Sequence, residues 1–272
     1  MIYFVATPIG NLKDISLRAL ETLKSVDVIF CEDTRHSLKL LNAYDIKKPL
    51  KSCHKFNERE AAEKIIAEAR EGKEIAIISD AGMPVISDPG NIVCSALKEE
   101  GIEYTVVAGA NAFLSALILS AFPADRFAFL GFLPDRASEA KAVLERYKTL
   151  DMTLCFHCAP QDVDRTISLA HSVFGDRNAC LVKEISKIHE QAITFRLSEG
   201  VQGEKRGEYV LVIEGAKDSG NPLNSLSVTE HILHYMRAGL DKKESVKQVA
   251  KDRGVSKSEI YKFSIDIGEQ NE

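Results

Sequence analysis

From the first residue to about Ser120, short apolar runs alternate with stretches whose apolar residues recur at helical spacing. That alternation is the pattern of consecutive βαβ units and of a parallel sheet. The predicted strands are Ile2 to Ala6, Val28 to Cys31, Leu50 to Cys53, Glu74 to Ser79 and Tyr104 to Val107. Between them, Ile15, Ala19, Leu20, Leu23 and Val26 form one helical stripe, with Asp14 placed to cap its first turn. Asn57 and Glu60 read as a capping box before Ile65, Ile66 and Ala69, with Gly72 as the stop. Asp88-Pro89 reads as a cap followed by a first-turn proline, and Gly101 closes that helix.

Past Ala121-Phe-Pro123 the pattern restarts, with strands predicted at Phe127 to Leu130, Thr153 to Phe156, Ala179 to Val182 and Tyr209 to Ile213. Lys217 to Ser225 is rich in turn formers and reads as a linker. Beyond Val228, two short helices joined near Gly254, the second with a Ser256-x-x-Glu259 cap, read as a helix-turn-helix or as a helical cap on the domain before it. The expected organisation is an N-terminal α/β domain over 1–121, a second α/β domain over 122–217, and a linker with a helical tail over 218–272.

The chain has 272 residues, 45% of them hydrophobic, which is enough for substantial cores. Its longest apolar stretch, Ala112 to Phe122, falls short of the roughly 20 residues of a membrane-spanning helix. The start carries no secretory pattern, so a cytoplasmic protein is expected. Six cysteines scattered through apolar segments suit reduced thiols. Cys155 and Cys158 form a CxxC, yet no second pair exists to complete a zinc site, and His157 reads as a packing or hydrogen-bonding residue; no metal is expected. A net charge of -5 argues against sequence-blind nucleic-acid binding over the whole surface. It leaves room for a local basic patch, for which Arg35, Lys39, Lys47, Lys48, Lys51 and Lys55 are candidates.

Open parallel sheets bind ligands beyond the carboxyl ends of their strands, where helix N-termini and backbone amides converge. Four loops there are unusual: Thr7-Pro-Ile-Gly-Asn11, Glu32-Asp-Thr-Arg35, Ser79 to Gly90 (SDAGMPVISDPG) and Ala108-Gly-Ala-Asn111. None is GxGxxG or a Walker loop. Asp80, at a strand end, reads either as an acceptor for a ligand ammonium or hydroxyl or as a turn cap.

The stretches VATPIGNLKDISLRALETLKSVDVIFCEDTR and ISDAGMPVISDPG resemble the signatures of the tetrapyrrole methylase superfamily, in its branch of small-subunit ribosomal RNA methyltransferases. The likeness extends through His54 to Glu58, Gly131 to Pro134, Lys183 to Lys187 and Gly207 to Gly215. It implies two α/β domains with an interdomain cofactor cleft, S-adenosylmethionine as cofactor, and a homodimer. The implied substrate is a cytidine ribose 2′-hydroxyl in small-subunit rRNA, naked or in an assembled subunit. Carried over by motif, the cofactor would touch Pro8, Ile9, Asp80, Gly82, Met83, Gly109, Ala110, Asn111 and Ala112, then Phe156, His157 and Cys158. Cys155 to Gln161 departs from the Phe-Tyr-Glu-Ser-Pro-His-Arg usual in such enzymes, and Ala108 stands where proline is usual.

A ribose hydroxyl is a poor nucleophile until its proton begins to leave, so a nearby base assists methyl transfer. Glu32, Asp33 and His54 are the candidate bases, with Arg35 and Lys187 as phosphate or oxyanion partners. The competing readings are a porphyrinoid methyltransferase, which needs an apolar macrocycle site, and a non-catalytic nucleic-acid-binding regulator acting through the tail.

Overall fold

In the computed structural model, which describes residues 1–216, 222–265 and 267, the apolar runs become two five-stranded sheets. The first contains β1 (Ile2–Val5), β2 (Val28–Cys31), β3 (Leu50–Ser52), β4 (Ile75–Ile78) and β5 (Tyr104–Val107), all parallel, in the order β3-β2-β4-β1-β5. Every residue of β2 and β4 is buried, because helices cover both faces, and this is why those strands read as unbroken apolar runs. Helices α1 (Leu17–Ser25) and α2 (Thr34–Ala43) supply one layer, α3 (Glu58–Arg70) and α4 (Asn91–Glu99) the other. The chain leaves β1 towards β2 on one side, and leaves β4 towards β5 on the other. Adjacent β1 and β4 therefore form a topological switch point, and a crevice opens beyond their carboxyl ends.

Helix α5 (Ala112–Ser120) leads into the second sheet: β6 (Phe127–Phe132), β7 (Thr153–Cys158), β8 (Asn178–Lys183), β9 (Gln191–Arg196) and β10 (Tyr209–Ile213). Their order is β6-β7-β10-β8-β9, with β6 and β7 parallel and the other pairs antiparallel. Helices α6 (Ala137–Glu145) and α7 (Val163–Phe174) cover one face, and α5 packs on the other. Sequence pattern misses β9, an edge strand mostly open to solvent that carries no continuous apolar run.

Three predicted helix caps are replaced. Ser16, not Asp14, caps α1 through Ala19 N, while Asp14 ends a preceding 3-10 turn. Asn57 turns backwards instead: its Oδ1 accepts from His54 N at 2.7 Å and its Nδ2 donates to Ser52, so no capping box forms with Glu60. The start of α4 is capped at long range. Gly90, not Asp88, occupies the cap position, and the Glu58 carboxylate accepts from Gly90 N, Ile92 N and Val93 N at 2.8, 2.7 and 3.4 Å. Gly72 and Gly101 follow α3 and α4 as expected.

Residues Met1–Gly215 form one compact unit and Ala216–Glu272 a second. In the second, α8 (Val228–Arg237), α9 (Lys242–Arg253) and α10 (Lys257–Tyr261) surround Ile232, Val249 and Ile260. Ser227 and Glu230 make a reciprocal capping box, and Ser256 caps α10 through Glu259 N. The two helices expected to join near Gly254 are α9, which Gly254 ends, and α10. Of the expected linker, residues 217–221 lie outside the described residues. No described helix is long and apolar enough to cross a membrane.

Because Glu58 is buried and serves three amides of another helix, Glu58→Ala leaves donors without an acceptor. The expected loss is about 2 kcal/mol of unfolding free energy. Denaturant titration of both proteins checks it.

Candidate functional site

Backbone contact at the switch point is close. The loops after β1 and β4 exchange two hydrogen bonds, Thr7 N to Gly82 O at 2.9 Å and Gly82 N to Thr7 O at 3.1 Å. Gly82 has φ of +79°, a conformation glycine adopts without strain. Beside it, a Cβ on Gly109 would lie 2.8 Å from Ala6 Cβ, so only glycine lets the loop after β5 lie against β1. Asn111 then caps α5 by accepting from Leu114 N at 3.0 Å, which leaves the other first-turn amides without an intrahelical acceptor.

A cavity of about 360 Å³ opens here, within the usual range for a small-molecule site. One wall comes from the first sheet and α5: Ile9, Ala81, Ile86, Ser87, Asp88 and Ala112. The other comes from the second sheet: Phe132, His157 to Pro160, Ile185 and Glu208 to Val210. Each wall contains a strained arch. Val85 (φ +76°) and Ser87 (φ +68°) flank Ile86; Glu184 (φ +50°) and Ser186 (φ +66°) flank Ile185. A positive φ at β-branched Val85 is unusual, and such strain concentrates at ligand sites. His157 packs edge-on to Phe129 and Phe132, and burial lowers its pKa.

Carboxylates gather at the ends of β2 and β4. Asp80 Oδ1 accepts from Asp33 N at 3.2 Å, joining the two loops. Burial and the nearby Asp80 raise the pKa of Glu32, while the charge of the His54 imidazole acts in the opposite sense. Burial, then repulsion from Glu32, pushes Asp88 up to about 6. Asp33 behaves oppositely: hydrogen bonds from Arg35, side chain and backbone, hold it well below the usual carboxylate range. That pairing makes Asp33 a poor base and fixes Arg35 at the surface.

Of the residues expected at the cofactor, Ile9, Ala112, His157 and Cys158 line the cavity. Gly82, Gly109 and Asn111 shape its backbone, and the Ala110 carbonyl lies beside Gly82. Pro8 and Met83 adjoin these positions in the chain. Phe156 is fully buried in the core under α6 and α7, facing away. Cys155 and Cys158 enter different apolar clusters on opposite faces of the sheet, and burial pushes both thiols up to about 12. Lys187 reaches the rim: it bonds Glu184 Oε1 at 3.1 Å and Glu208 Oε2 at 2.9 Å, and those bonds raise its pKa despite partial burial.

The lysines expected as a basic patch lie around β3, one of them in an ion pair. Lys47 and Lys48 precede β3, Lys55 follows it, and Lys51 is held by Glu68. Ile86, Ser87, Ile185 and Glu208 were not singled out from the sequence, and Asp88 was read only as a cap, although all lie within or beside the motifs. The signal available was the turn density of Ser79 to Gly90, which the cap reading of Asp88 absorbed.

The profile of the Tetrapyrrole (Corrin/Porphyrin) Methylases matches residues 1–200. Ribosomal RNA small subunit methyltransferase I of Halalkalibacterium halodurans is 41% identical over 269 residues, covering 96% of this chain and 93% of the relative. The enzyme of that name from Thermotoga maritima is 40% identical over 218 residues, 79% of this chain and 98% of its own length. A crystal structure of uroporphyrin-III C-methyl transferase from Thermus thermophilus complexed with S-adenyl homocysteine shares the fold, with TM-score 0.57 and 19% identity, over 78% of this chain and 96% of that one. The chain thus belongs to the tetrapyrrole methylase family, among the ribosomal RNA small subunit methyltransferase I proteins.

Proposed function

We propose that this chain transfers a methyl group from S-adenosylmethionine to a ribose 2′-hydroxyl, that of a cytidine, in small-subunit rRNA. The observation that carries the reading is the cleft at the β1/β4 switch point, with α5 starting in its wall. The residues fit the cofactor by chemistry. First-turn amides of α5 suit the methionine carboxylate, acids at the ends of β2 and β4 suit the ammonium and ribose diol, and Ile9, Ile185 and Val210 give an apolar surface for adenine.

When bound, the cofactor supplies an electrophilic methyl group on a sulfonium. The protein positions the acceptor, excludes water and receives the hydroxyl proton on a carboxylate oxygen. Glu32 and Asp88 suit that last role, since their raised pKa values mark carboxyls with high proton affinity, whereas Asp33 is occupied by Arg35. The His54 imidazole acts electrostatically on Glu32. Asp80 holds the two loops together, and Arg35 and Lys187 stand at the rim for phosphate contact.

Residues 1–121 and 122–217 would be the domains on either side of the cleft, with 218–272 as linker and tail. Helix α5 turns Leu114, Leu119 and Ile118, the last 77% exposed, to solvent; this is the face for homodimer formation. Lys247, Lys251 and Lys257 surround the turn at Gly254, so the tail suits an added RNA contact. An enzyme acting on small-subunit rRNA works in the cytoplasm.

Tritiated S-adenosylmethionine with small-subunit RNA, assembled subunits or a porphyrinoid tests the whole reading; label is expected in RNA alone. Asp80→Ala is expected to weaken cofactor binding in calorimetry, and unchanged affinity in the folded variant would remove Asp80 from the site. Deleting 228–272 should leave cofactor affinity intact but slow RNA methylation. A tail without function would give full-rate methylation.

Asp88 gives a pH test. Its folded pKa lies above the ordinary 3.8, so ionisation costs stability, fully so above about 6 and not at all below 3.8. Asp88→Asn should therefore unfold at higher denaturant than wild type at pH 8. The advantage should shrink as the pH falls through 6 and disappear near 3.8.

A further inference from the structure

The loop after β3 displays an aromatic ring. His54 O accepts from Asn57 N at 3.0 Å, closing a four-residue turn with Lys55 and Phe56 at its apex. The turn is fixed from within, because Asn57 Oδ1 accepts from His54 N and Asn57 Nδ2 donates to Ser52 O and Oγ at 3.2 Å. Phe56 is 93% exposed, its only ring neighbour among the described residues being His54, with centroids 6.3 Å apart. Turn apices favour small polar residues, so a fixed phenylalanine there contributes nothing to the fold.

We propose that Phe56 stacks on an unpaired nucleobase of the RNA substrate, beside the nucleotide whose ribose enters the cleft. Three observations favour RNA over a protein partner. Lys55 and Arg59, both exposed, make no ion pair among the described residues, and Arg35, 88% exposed, closes the neighbouring loop. Cationic groups around an exposed aromatic match a phosphate backbone with splayed bases. The turn is also tied to the loop after β2: Cys53 N, next to His54, donates to Cys31 O at 2.8 Å, and the His54 ring packs edge-on to Phe56. The proposal rests on RNA being the substrate.

The protein contains no tryptophan, so Phe56→Trp introduces a single reporter. Titration with a small-subunit rRNA transcript should quench its emission. Phe56→Ala should weaken RNA binding about tenfold, by the same factor at every salt concentration, since no phosphate contact is lost. Lys55→Glu should instead flatten the salt dependence. Phe56→Tyr should restore binding. Absence of quenching together with wild-type RNA affinity in Phe56→Ala overturns the inference while RNA methylation by the wild type still stands. If Phe56→Ala alters the oligomeric state in sedimentation, the ring is a self-association contact and the inference is wrong. A wild-type protein that neither binds nor methylates RNA overturns both readings.

Discussion

Burial of the inner face of α5 against the second sheet is the contact on which the site depends. Ala116 and Leu117 enter a cluster with Cys155, Cys180, Val182, Val210 and Val212. A nine-residue helix is too short to persist alone, so tertiary packing holds it. Each large apolar side chain buried contributes about 1.5 to 3 kcal/mol. The same packing fixes the helix start at the end of β5, in the crevice between β1 and β4. Two sheets are thereby joined with a polar helix terminus at their junction, where the cleft forms.

That cleft is built at some conformational cost. Positive φ at Val85, Ser87, Glu184 and Ser186 places strained backbone on both walls, roughly 1 to 3 kcal/mol for each residue. Neighbouring contacts offset it. Glu58 organises the amides after the first arch, and Lys187 with Glu184 and Glu208 ties the second. Glu184 also accepts from Glu208 N at 3.0 Å, so one carboxylate serves backbone and ammonium together. Gly10 belongs to the same arrangement, because any side chain there would collide with Lys187.

Elements whose cause is local were legible in the sequence. The strands β1, β2, β4, β5 and β10 follow from apolar runs, and the loops that converge on the cleft follow from their glycines and prolines. What was not legible has a distant cause. Glu58 caps a helix that begins more than thirty residues later, a service no local pattern encodes. Its presence frees Asp88 from the cap role that Asp88-Pro89 suggests, and so Asp88 reaches the cleft. Phe156 illustrates the converse: strand periodicity puts it on the face opposite to His157, a parity that motif matching alone does not read.

Electrostatics sets the remaining condition. On the proposed reading, an RNA strand must bring phosphates towards the carboxylates Glu32, Asp80 and Asp88, which long-range repulsion opposes. Burial and mutual repulsion raise the proton affinity of Glu32 and Asp88 above that of solvated carboxylates. At the rim the balance changes. Arg35 neutralises Asp33, and Lys55 and Arg59 stand without acidic partners among the described residues. Half-buried acids with raised proton affinity and exposed cations are compatible in one protein because the groups differ in burial. On the proposed reading, proton acceptance falls to Glu32 and Asp88, and phosphate contact to the exposed cations.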